Sequence, residues 1–204
     1  MFALVESGTI TQFPKGNKGI TIGENQYPSS IYTLWTEAER NAIGIYTVEI
    51  DSTNRKDEEF YINTNITYAF GSGKVTGSYG TATAKRLADE DAVDENGDKL
   101  KDADGNQVIN YGLKTKYKNK FNAEAAGLLA KTDWYVIKAA DVTSYSVPSN
   151  ITTYRAAVRT KVNAMETSID NCADVDALIT LLTYTEDSEG VVSRPLGEFP
   201  DEVV

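Results

Sequence analysis
A chain of 204 residues, 41% apolar and 25% charged, has material for one or two domains with a real core. Its formal net charge of -10 argues against nonspecific nucleic-acid binding, which needs clustered Lys and Arg, and against an anionic membrane surface. With no histidine and a single cysteine, Cys172, it excludes His-based triads and bases, nearly all zinc chemistry, and any disulfide framework.

The start, Met1-Phe2-Ala3-Leu4-Val5-Glu6, meets an acid at once and has no basic leader, which argues against a signal peptide. No apolar run approaches the ~20 residues of a membrane span. Phe2 to Glu6 and Thr9 to Phe13 are short β-forming runs separated by Ser7-Gly8, the pattern of a hairpin. Pro14 ends the second run, and the Gly-rich stretch from Lys15 to Gly23 reads as loop. It lacks the GK[ST] tail of a phosphate-binding loop. Tyr27 to Ser30 reads as a turn. Thr36 and Glu39 have capping-box spacing, so a short helix is expected over 36–43, with Gly44 as its stop. Ile45 to Ile50 alternates as a strand. Residues 1–57 therefore read as a small α+β unit, with the short helix closing over a hairpin and a third strand.

Residues 58–112 read as a long β-hairpin followed by an acidic, turn-rich segment. The hairpin pairs 59–70 with 75–86 around Gly71-Ser72-Gly73-Lys74, and Gly77 and Gly80 imply a bulge or close packing. In the acidic segment, Glu95-Asn96-Gly97-Asp98 and Ala103-Asp104-Gly105-Asn106 carry the dipeptides of type I′ turns. Asp94, Asn96, Asp98, Asp102 and Asp104 supply oxygens suited to calcium, but the EF-hand order is not met, since Gly97 stands in the fourth place of its loop. Solvated turns are the preferred reading.

Leu113, Tyr117, Phe121, Ala125 and Leu128/Leu129 recur at helical steps, and the opposite face is rich in lysine. Thr132-Asp133 can cap a further short segment, and Trp134 has the size to seal a corner between helices. Val147-Pro148 breaks the chain. A second long helix is expected from about 150, capped by Ser149 or Asn150, with the stripe Tyr154, Val158, Val162, Met165 and Ile169. A third, over about 174–184, has Asp174 as its cap. Residues 113–185 thus read as a helical bundle, and 186–204 as an extended tail lying across a neighbouring molecule. The fold class is α+β, a small β-rich N-terminal half followed by a short bundle of two to three helices.

No residue pattern marks a catalytic, metal or cofactor-binding site. There is no G-x-S-x-G, and no carboxylate pair is singled out for acid-base work. The chain reads as a non-enzyme without cofactor.

The stretch from Leu128 to Arg159, LLAKTDWYVIKAADVTSYSVPSNITTYRAAVR, resembles tail proteins of tailed bacteriophages, with a cyanophage flavour. Its elements are a helix ending in LL-x-x-TDW, a Pro-containing spacer and a Tyr-Arg helix. Phe2 to Pro14 and Ile43 to Val48 are similar to the opening strands of such proteins. The resemblance implies a structural component of the tail that is fibre-associated, an adaptor or a baseplate subunit. The alternative it implies is a tail-fibre assembly chaperone that binds the fibre tip. It also implies a setting in the virion after synthesis in the host cytoplasm, homo-oligomeric and in contact with other tail proteins. Thr132, Asp133 and Trp134 form the expected structural corner. Phe2, Leu4, Val191, Leu196 and Phe199 are candidate partner contacts on the N-terminal strands and the tail. A carbohydrate-binding module is a third reading, because Tyr and Trp surfaces stack on sugars, but Trp134 is better explained as core.

Overall fold
A computed structural model describes residues 1–203. The chain divides into two compact units, residues 1–83 and residues 84–204. The α+β class is as expected, with strands mainly in the first half and helices in the second. The division differs from the expected one. The strands on either side of Gly71-Ser72-Gly73-Lys74 join the first unit, whereas the acidic turns and the C-terminal tail join the second.

In the first unit β1 (Phe2–Glu6) and β2 (Thr9–Gln12) form the expected hairpin. Its turn residues, Ser7 and Gly8, have φ of 51° and 79°, the left-handed pair that a type I′ turn requires. The stretch read as loop carries a second small hairpin, β3 (Ile20–Ile22) with β4 (Asn25–Tyr27), turned by Gly23 at φ 59°. The single-turn α1 (Ile31–Leu34) follows and buries Ile31 and Tyr32. Next comes α2 (Glu37–Ala42), with the expected capping box. Glu39 N–H donates to Thr36 Oγ1 at 3.3 Å, and Thr36 N–H donates to Glu39 Oε2 at 2.8 Å. Gly44 then turns the chain at φ 83°, where a Cβ would lie 2.6 Å from the Val5 carbonyl oxygen. A side chain is excluded there twice, by conformation and by space.

Beyond Gly44, β5 (Ile45–Asp51) pairs antiparallel with β1. The short β6 (Tyr61–Ile62) leads to the hairpin of β7 (Thr67–Gly71) and β8 (Lys74–Ser78), shorter than the sequence pattern implies. Its turn, Ser72-Gly73, has φ of 51° and 74° and repeats the Ser7-Gly8 solution. β8 pairs in parallel with β5, giving a five-stranded sheet ordered β2-β1-β5-β8-β7. Its two edges, β2 and β7, touch, and the Phe13 and Tyr68 rings meet at a tilt with centroids 4.7 Å apart. The sheet is therefore curled towards closure. β1 is buried on both faces. Leu4 packs with Ile20, Ile31, Tyr32 and Ile45, while Ala3 and Val5 pack with Val48 and Val75. β9 (Thr83–Ala84) lies at the junction of the units.

The second unit opens on β10 (Glu90–Asp91) and β11 (Ile109–Asn110), which pair antiparallel. Between them lies an eight-residue repeat, Ala92 to Lys99 and then Leu100 to Gln107, with Asp in the third place and Gly in the sixth. Each repeat folds into one tight hairpin. Asp94 Oδ1 accepts from the N–H of Asn96 at 2.8 Å and of Asp98 at 2.9 Å. Asp102 Oδ1 accepts in the same way from Asp104 and Asn106. Only the glycines of these turns, Gly97 and Gly105, have positive φ, so the turns are not the expected type I′. They are Asp-anchored turns with a left-handed glycine. The stems meet at three residues bonded in a ring. Leu100 N–H donates to the Ala92 carbonyl, Ala92 to Val108, and Val108 to Leu100, at 2.8 to 2.9 Å. A three-way junction of hairpins results.

Asp89 then caps α3 (Leu113–Ala130), accepting from the Gly112 N–H at 2.8 Å and from Thr115 Oγ1 at 2.9 Å. After α3 come α4 (Asp133–Asp141), α5 (Ser149–Asp170) and α6 (Val175–Leu182). The expected stripes of α3 and α5 are buried, except that Leu128 and Leu129 at the end of α3 are only half-buried. Ser149 is the first residue of α5 rather than its cap, and Asp174 caps α6 through the Ala177 N–H at 2.8 Å. α3 and α5 run antiparallel, as Lys118 bonds Asp170 and Asn122 bonds Glu166. The tail is not simply extended but folds back on its own helices. It forms a hairpin, β12 (Thr185–Glu186) with β13 (Val192–Ser193), around Asp187, which repeats the Asp-anchored turn. Leu196 is then buried, its N–H donating to the Leu181 carbonyl and its own carbonyl accepting from Lys161 Nζ.

The Asp-anchored turns have a pH consequence. Backbone N–H groups, of Asp98 first and then Asn96, hold the Asp94 carboxyl below its usual value, and that of Asn106 does the same for Asp102. A carboxylate depressed in the folded state contributes stability above the unfolded value near ~3.9, and that stability is lost as pH falls through the folded values. Amide exchange at Asn96, Asp98, Asp104 and Asn106, corrected for intrinsic rates, is therefore expected to stay slow from neutral pH to about pH 5. It should then speed up below about pH 4. In Asp94→Asn the first hairpin should lose this dependence while the second keeps it.

Candidate interaction surface
The corner between α3 and α4 is built by Arg155, which projects from α5. Position 155 lies on the flank of the buried stripe of α5, so its side chain enters the bundle, and only 8% of the residue is exposed. Its Nη1 donates to the Leu129 carbonyl at 2.8 Å and to Thr132 Oγ1 at 2.7 Å. Its Nη2 pairs with Asp133 Oδ1 at 2.8 Å. The Leu129 carbonyl, in the last turn of α3, also accepts from the Thr132 N–H at 3.0 Å, and the guanidinium adds a charge-assisted bond to it. Thr132 is 4% exposed, and its hydroxyl also donates to the Leu129 carbonyl at 3.0 Å. One cation therefore fixes the end of α3, the linking residue and the start of α4.

Thr132 and Asp133 stand between α3 and the body of α4, held by Arg155, but Trp134 does not seal the corner. Trp134 is 51% exposed, and α4 buries none of its nine residues. A polar clamp occupies the space that the sequence reading gave to the indole. Tyr135 and Ala139, one helical step apart, are half-buried and mark the side of α4 turned to its own unit. On the other side Ile137 is 61% exposed, with Trp134 beside it. The Trp134 and Tyr135 rings lie 3.9 Å apart, and Lys138 Nζ sits 5.6 Å from the Trp134 ring centroid and 4.3 Å from that of Tyr145. Tyr135 and Lys138 of the same chain thus lie against the half-exposed indole.

The five candidate partner contacts fare differently. Leu4 and Leu196 are 3% exposed and belong to the interiors of their units. Phe2 packs on the Leu4 cluster, with its ring 4.8 Å from that of Tyr32 and the Arg40 guanidinium over it. Phe199 is half-buried, and Val191, on the hairpin of the tail, stands open at 55%. Phe2, Leu4 and Leu196 stand among the expected partner contacts because the sequence pattern does not show that β1 has two covered faces or that the tail returns. Arg155 and Ile137 are the residues it overlooks. The signal for Arg155 is its place beside Tyr154 on an otherwise apolar stripe.

Among the described residues no group of three or more Asp, Glu, Cys or His side chains is arranged to hold a metal ion. Burial pushes the Tyr154 hydroxyl and the Cys172 thiol up. No helix among the described residues is long and apolar enough to cross a membrane. No protein-family model, curated protein or solved structure matches the chain.

The clamp assigns unequal weights to its two sides. Arg155→Met removes charge-assisted bonds from a half-buried carbonyl and a buried hydroxyl, and is expected to cost about 2–4 kcal/mol in urea unfolding. Asp133→Asn touches only the half-exposed end of the pair and should cost less than about 1 kcal/mol. Equal losses in the two variants would show that the ion pair, and not the carbonyl and hydroxyl contacts, carries the corner.

Proposed function
We propose that this chain is a non-enzymatic structural component of a bacteriophage tail, acting through protein-protein contacts as a fibre-associated, adaptor or baseplate subunit. The reading rests on the resemblance of residues 128–159 to tail proteins, joined to one structural observation. The residues that carry the resemblance, Leu129, Thr132, Asp133 and Arg155, meet in a single clamp, and that clamp holds out a helix whose apolar side chains face solvent. A helix as short as α4 is marginal in water on its own. Contiguous exposed apolar surface is a feature of proteins that bind other proteins. A pre-formed, rigidly anchored helix face limits the ordering cost of association, which suits a permanent lattice contact. The protein would be made in the host cytoplasm and retained in the virion.

Quantitative mass spectrometry of purified particles of the encoding phage tests this. The expected result is a fixed copy number in step with a known tail protein. Absence from particles, together with capture by a co-expressed fibre, would replace the structural reading with that of an assembly chaperone.

A further inference from the structure
We propose that the outward face of α4 is self-complementary and takes the α4 of a second copy of this chain, antiparallel, about a two-fold axis. The inference stands independently of the tail reading. Asp133, Trp134, Ile137, Lys138 and Asp141 fall at steps of one, three, one and three along the helix, so they share one face. That face lies opposite Tyr135 and Ala139, which turn inward. All five of its residues are exposed. It is apolar at its centre and charged at its flanks, the arrangement of a small interface with a polar rim.

The order of charges along the face fits its own reverse. When two such helices run antiparallel with Trp134 of each copy against Ile137 of the other, Asp133 of each copy lies opposite Lys138 of the other. Two symmetric ion pairs then flank two symmetric apolar contacts, as an isologous interface demands. Within one chain the Lys138 ammonium lies over the rings of Trp134 and Tyr145. One Asp133 oxygen pairs with Arg155, and the Asp133 side chain remains 52% exposed. A parallel arrangement sets Asp133 against Asp133 and Lys138 against Lys138, so like charges meet and the antiparallel pairing is selected. The net charge of -10 on each copy opposes association over longer range, but salt screens it beyond about 8–10 Å. The two ion pairs are charge-balanced, with Asp133 and Lys138 from each copy, and Asp141 lies beyond them on the same face.

Sedimentation equilibrium of the full chain over a concentration series tests the proposal. The wild-type chain is expected to be a monomer-dimer equilibrium. Ile137→Asp should weaken it by about 30-fold or more, as loss of a central interface anchor does, with an unchanged circular-dichroism spectrum. Lys138→Glu should weaken it further at low salt than at high salt. Val192→Asp, at a 60% exposed position on β13, should leave it unchanged. A wild-type chain that stays monomeric at its highest soluble concentration would overturn the proposal. So would a dimer unaffected by Ile137→Asp, and so would a monomer that uses this face only for a different tail protein. Particle copy number plays no part in these outcomes, so the dimer and the tail reading can fail separately.

Discussion

The buried guanidinium of Arg155 is the interaction on which the second unit depends. A charge taken out of water needs hydrogen-bond partners in good geometry, and this one has a helix-terminal carbonyl, a hydroxyl and a carboxylate. Three consecutive features of the chain, the end of α3, Thr132 and the start of α4, are thereby fixed to one point on α5. An apolar side chain could have filled the same volume without setting the direction in which α4 leaves. The polar clamp sets that direction, and it leaves the aromatic residue that follows, Trp134, free to face outward.

The first unit is governed by a different constraint, the double burial of β1. Leu4 faces one hydrophobic cluster and Ala3 and Val5 face another, so the strand has no surface to offer. Gly44 is bound to this arrangement. Its amide plane lies so close to β1 that the Val5 N–H bonds the Gly44 carbonyl at 2.8 Å while a Cβ would strike the Val5 carbonyl. Exposed apolar side chains lie elsewhere, among them Trp134, Val136 and Ile137 on α4 of the second unit.

Much of the fold is legible in the sequence because its signals are local. The Thr36–Glu39 capping box, the Ser-Gly hairpin turns and the stripes of α3 and α5 each depend on residues a few positions apart. What escapes is long-range. The hairpin of Ile20 to Tyr27 is hidden in a Gly-rich run, because three-residue strands are too short to show alternation. The parallel pairing of β5 with β8 joins residues about one hairpin apart, and no pattern in either strand specifies it. The Asp-anchored turns are legible as an eight-residue repeat, yet the Asn-Gly and Asp-Gly dipeptides point to type I′ geometry until the Asp two places earlier is given its role. The exposed face of α4 is the least legible part. Size and apolarity place Trp134 in the core, and only the presence of Arg155 in that space, 21 residues further along the chain, shows why it is not there.

If Arg155 is what positions α4, then α4 should depend on it more than α3 and α5 do. Amide hydrogen exchange resolved by residue, compared between the wild type and the double variant Thr132→Val with Arg155→Met, measures this directly. The account predicts that protection in residues 136–141 falls to near the unstructured rate while the centres of α3 and α5 remain protected. Protection lost in parallel across all three helices, or α4 exchange unchanged by the substitutions, would contradict it.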